Sequence, residues 1–160
     1  MKTLLLALVG MALSATGAFA QATATQTVTF SVAAINLIAV SGNPGTMTVS
    51  SGTAGSQPNA VSDATTSYAV TTNQTTQKIT GAISSAMPSG TTLAVALGAP
   101  SGATSAGSTT LTTTAANLVT NISTLASLGN TITYNFSATA AAGQVSSTTR
   151  TVTLTLTAGP

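Results

Sequence analysis

Beyond residue 20 the dominant signal is alternation of apolar and polar residues with a period of two, the mark of half-buried strands. In Thr27-Val28-Thr29-Phe30-Ser31-Val32 the three large apolar side chains point one way. Thr46–Val49, Tyr68–Val70, Lys78–Ile83, Thr92–Leu97 and, more weakly, Thr109–Thr114 repeat the pattern. Two longer alternating segments follow, Thr131–Ala138 and Arg150–Thr157, joined across Ala141–Gln144 in what reads as a hairpin. Clusters of Gly, Pro, Ser and Asn separate the segments, such as Ser41–Gly45, Met87–Gly90 and Ala99–Gly102. Ala115–Leu128 is the one stretch with helical potential. Its β-branched and Asn content favours a short turn or crossover over a long helix.

This spacing predicts an all-β chain: an antiparallel β-sandwich of about eight strands with immunoglobulin-like or Greek-key connections and at most one short helix. The expected core draws on Val28, Phe30, Val32, Leu93, Val95, Leu97, Ile132, Tyr134, Phe136, Val152, Leu154 and Leu156. Residues 21–160 form one domain in this reading. Residues 1–20 fit a secretory signal peptide: Lys2 supplies the positive start, Thr3–Leu13 the apolar stretch, and Ala18-Phe19-Ala20 the small-x-small cleavage rule. That apolar run is too short to cross a bilayer, so the expected product is exported and not inserted in a membrane.

Composition narrows the chemistry. After residue 20 only Lys78, Arg150 and Asp63 are charged, and Thr, Ser and Ala contribute 33, 18 and 24 residues. General acid–base catalysis needs an imidazole or a tuned carboxylate, and glycoside hydrolysis needs two acids. One Asp, no Glu, no His and no Cys satisfy neither requirement. The same shortage argues against zinc or calcium sites and against any cofactor. Two isolated cations are too few for nucleic acid. The expectation is a non-enzyme. Asp63 and Lys78 are the pair that an isopeptide bond would need, but a polar loop and a strand start suggest solvent-facing positions. Tyr68 is the one aromatic left for a glycan platform.

What remains are surfaces. Thr151, Thr153, Thr155 and Thr157 share one face of the last strand. High β-propensity explains this on a sheet that avoids charge; an ice-binding or glycan-binding face is the sharper alternative. Asn73, Asn121 and Asn135 head N-glycosylation sequons. Edge strands are normally blunted by Lys, Pro or bulges, and a β-rich chain with almost no charge is disposed to strand-on-strand association. A polymer subunit fits this, with donor-strand complementation as the means. The segment 21–40 suits the donor role through Thr27, Val28, Phe30, Val32 and Ile35; equally, it reads as an ordinary first strand.

A cleaved leader, an alternating N-terminal strand, Thr-rich sheets and a final hairpin (Ile132–Ala138 with Val152–Leu156) together resemble small secreted β-sandwich subunits of prokaryotic surface filaments and matrix fibres. Spore-coat-U-like and chaperone–usher pilins carry cysteines that this chain lacks. The resemblance implies a homopolymer at the cell surface, the partner being the protein itself. The alternative is a monomeric adhesin, glycan binder or ice binder acting through its Thr face.

Overall fold

The computed structural model describes residues 22–159; the leader expected over residues 1–20 lies outside them. Residues 22–32 form no strand and are described separately from the sandwich, which begins at Ala33. Nine strands follow: β1 (Asn36–Val40), β2 (Val61–Thr72), β3 (Gln77–Ile83), β4 (Thr91–Leu97), β5 (Thr104–Ser105), β6 (Thr109–Thr110), β7 (Ala116–Ile122), β8 (Leu125–Ala138) and β9 (Val152–Ala158). They make two antiparallel sheets, ordered β1-β2-β8-β4-β6 and β5-β7-β3-β9. One of the two is curled toward a half-barrel. A 3-10 turn at Ala140–Ala142 is the one helical element among the described residues.

From β2 onward every connection passes from one sheet to the other, so sequence neighbours face each other across the core. That core is built by the alternating positions: Tyr68 and Val70 of β2, Ile79 and Ile83 of β3, Leu93, Val95 and Leu97 of β4, and Ile132 and Tyr134 of β8. Leu111, Leu118, Val119 and Ile122 complete it. A missing side chain on β3 makes room for a large one on its neighbour β7. A Cβ on Gly81 would meet Leu118 Cδ1 at 2.5 Å, so glycine there makes room for the leucine.

Several expectations are corrected. Thr27–Val32 and Thr46–Val49 are not strands, and Val28, Phe30 and Val32 lie outside the core, 71%, 89% and 80% exposed. The stretch Ala115–Leu128 holds β7 and the start of β8, not a turn or crossover; Leu118, Val119 and Ile122 bury themselves there, and burial outweighs weak local propensity. The Thr109–Thr114 strand shrinks to two residues. The two last segments do not form a hairpin: β8 pairs β2 and β4, whereas β9 pairs β3 in the other sheet. Tyr68 is buried, with its hydroxyl donating to the Gly98 carbonyl at 2.7 Å. Asp63 lies within β2 rather than a loop.

Candidate functional site

An immunoglobulin-type sandwich orders strands A-B-E-D in one sheet and C-F-G in the other. Here β1-β2-β8-β4 follow the first order, and β3-β9 follow C-F. Among the described residues no strand takes the place beyond β9. The ladder identifies what that edge presents. Ser84 N–H donates to the Thr151 carbonyl at 2.9 Å, and Gly159 N–H to the Thr76 carbonyl at 2.6 Å. In an antiparallel pair such bonded positions alternate, so the odd residues of β9 turn their peptide groups toward β3. Val152, Leu154, Leu156 and Ala158 therefore turn N–H and C=O outward, while the side chains of Val152, Leu154 and Leu156 pack inward against the core.

Beside this edge runs a groove of ≈ 1490 Å³, larger than the roughly 300–1,000 Å³ typical of small-molecule sites. Its lining includes Thr66, Leu93, Ile132, Tyr134 and Phe136 from the inner face of the first sheet. One wall is residues 42–52, the other residues 145–154. A volume above that range suits a length of chain better than a compact ligand.

Two of the three charges beyond residue 20 brace these walls. Asp63 Oδ2 accepts from Gly45 N–H at 3.1 Å, and Oδ1 accepts from Thr65 N–H at 3.0 Å and the Thr65 hydroxyl at 2.7 Å. The Thr65 amide first, then its hydroxyl, holds the Asp63 carboxyl below the usual carboxylate range; slight burial opposes this, and the Gly45 amide assists. Arg150 donates through Nε and Nη2 to the Ala86 carbonyl at 3.0 and 2.8 Å, and through Nη1 to the Thr149 carbonyl and Thr148 Oγ1. Lys78 stands on β3 opposite Thr157, in the sheet that does not contain Asp63, so the isopeptide pair is not brought together. As the sole carboxylate beyond residue 20, Asp63 offers a metal too few ligands. In the groove, Thr66 is 5% exposed and its Oγ1 lacks a hydrogen-bond partner.

The expected donor residues divide between two places. Thr27, Val28, Phe30 and Val32 belong to the strandless segment. Ile35 is anchored to the sandwich: its N–H donates to Asn73 Oδ1 at 2.8 Å, and its carbonyl accepts from Asn73 N–H at 3.2 Å. Asn73 Nδ2 also donates to the Ala33 carbonyl at 2.7 Å, so that sequon asparagine acts as an extra rung at the start of β1. Thr151, Thr153, Thr155 and Thr157 are exposed in one row. Thr155 faces Thr80 on β3, but register shifts between β3 and β7 interrupt any wider lattice. The groove itself was not anticipated; its one trace in sequence is that Thr46–Val49 alternates like a strand yet pairs with nothing.

Neither the family models, the curated proteins nor the solved structures compared with this chain match it.

Proposed function

We propose that the protein is an exported structural subunit that polymerises by edge-strand pairing, residues 22–32 of one copy lying along β9 in the groove of the next. The observation that carries this reading is the pairing of two unsatisfied features in one chain. The sandwich has a hydrogen-bonding edge beside an apolar groove, and the N-terminal segment has an alternating face of Val28, Phe30 and Val32 exposed to water. Strand addition joins main-chain hydrogen bonds to side-chain insertion. Burying each of those three side chains contributes about 1.5–3 kcal/mol. Donation from copy to copy is heterologous, so it propagates as an open filament, sheath or matrix fibre. The likeness in style to secreted filament subunits agrees with this, and no enzymatic activity is part of the reading.

Electron microscopy and sizing of the exported protein test it. Regular fibres are the expected result. A stable, monodisperse particle of about 13 kDa, the chain without its leader, overturns it and leaves the Thr151–Thr157 row as the surface to examine. Phe30→Asp is expected to stop fibre growth while leaving the unfolding midpoint of the sandwich unchanged.

A further inference from the structure

Five residues of one groove wall, Thr46-Met47-Thr48-Val49-Ser50, alternate as a strand does. Met47 and Val49 are half-buried, while Thr46, Thr48 and Ser50 are exposed. The segment is fixed at both ends. Gly45 N–H donates to Asp63, and Asn59 N–H donates to the Ser51 carbonyl at 2.9 Å, beside the bridge between Gly52 and Pro58. Between these anchors the main chain of residues 46–50 makes no hydrogen bond to another described residue. Neither proline nor charge blunts it. A stretch of chain is thus held in strand form with its peptide groups unpaired.

Its direction decides where those groups point. Ser41 and Gly45 lie along β2 at Ser67 and Asp63, so the segment leads away from the turn between β2 and β3. In contrast, β9 ends opposite Gln77, at that turn. The two walls of the groove therefore run in opposite directions, related by a local two-fold axis through the gap, and the rule found for β9 holds for its counterpart. Residues with inward side chains turn N–H and C=O into the groove: Val152, Leu154 and Leu156 from one wall, Met47 and Val49 from the other. At the inner end, Cα atoms of β1 and β9 come within 8 Å of each other. That is less than the roughly 9.5 Å separating two strands that flank a third, so the slot for a strand lies beyond this point.

We infer that residues 46–50 are a second acceptor edge, so that the strand donated by another copy is bonded on both sides and becomes an interior strand joining the two sheets. The inference rests on the proposed mode of assembly. Residues 22–32 contain no proline, so every amide of the donor can take part. Pairing with β9 alone leaves half of the donor's peptide groups, and those of residues 46–50, bonded only to water.

Amide hydrogen exchange on the full chain tests this, comparing fibres with the Phe30→Asp chain kept unassembled. A strand bonded on one side protects every second amide, and one bonded on both sides protects them all. In fibres, the consecutive amides from Val28 to Val32 are expected to slow about a hundredfold or more, and those of Met47 and Val49 with them. Either feature without the other overturns the second edge. Alternate protection in the donor, with Met47 and Val49 exchanging as in the unassembled chain, leaves strand addition to β9 standing. Slowing at Met47 and Val49 beside an alternately protected donor means that another surface covers that wall. A parent chain that never forms fibres, or fibres in which residues 22–32 exchange freely, overturns the assembly mode and the second edge together.

Discussion

At the scale of single residues, the few polar groups that matter are those holding a backbone in place. Asp63 accepts three hydrogen bonds from Thr65 and Gly45, which lowers its carboxyl pKa in the folded protein. A depressed folded pKa gives stability that is complete above the unfolded value, about 3.9 for Asp, and is lost as pH falls through the folded value. The denaturant midpoint is therefore expected to drop in acid only below about pH 4, and Asp63→Asn to flatten that drop. On the alkaline side, burial pushes the Tyr68 phenol up to about 12. A raised folded pKa reverses the sign: stability is complete below the unfolded value near 10 and declines as pH climbs toward 12. Between those limits the chain has no His, Glu or Cys to titrate, and the midpoint should stay level. Gly81 gives a test of packing: Gly81→Ala drives a methyl group against Leu118 and is expected to cost about 1–3 kcal/mol in chemical denaturation.

At the scale of elements, β9 is both a structural strand and an exposed edge, and proline substitution tells the two roles apart. Thr153 turns its N–H toward Ala82 in β3, whereas Val152 turns its own outward. Thr153→Pro is expected to lose a ladder bond and about 1–3 kcal/mol of stability. Val152→Pro, at the first residue of an edge strand where proline is tolerated, is expected to leave the midpoint nearly unchanged and to weaken fibre formation. A larger loss of stability for Val152→Pro than for Thr153→Pro would mean that the even residues of β9, not the odd ones, face β3. The strands were legible wherever alternation coincided with burial: β3, β4, the second half of β8 and β9 all lie where period two places them. The passage from β8 to β9 in the other sheet was not legible, because an Ala- and Gly-containing link reads alike whether it turns within a sheet or crosses between two. Alternation also marks a strand's chemistry without naming its partner. Thr27–Val32 and Thr46–Val49 look like strands and pair with nothing in the sandwich. The groove was illegible for the same reason: it is assembled from residues 38 to 154, and no local pattern announces an edge left without a neighbour.

At the scale of the whole molecule, the scarcity of charge acquires a physical meaning. Soluble monomers rely on surface charge to stay apart and on charged or irregular edges to avoid pairing. Here Asp63 and Arg150 are spent on the groove walls, which leaves Lys78 as the remaining cation beyond residue 20. Copies of the protein thus meet without appreciable long-range repulsion, and in the proposed assembly a row of peptide hydrogen bonds and three buried apolar side chains join them. Neither depends on ionic strength in the way that an ion-pair interface does. Raising salt from about 0.01 M to about 1 M shortens the screening length from roughly 30 Å to roughly 3 Å. Fibre growth followed by light scattering is expected to keep its rate across that range at neutral pH, or to rise slightly as apolar burial strengthens. A fall of tenfold or more would show that charge steers the subunits together, and would move the interface from β9 and its groove to the surroundings of Lys78.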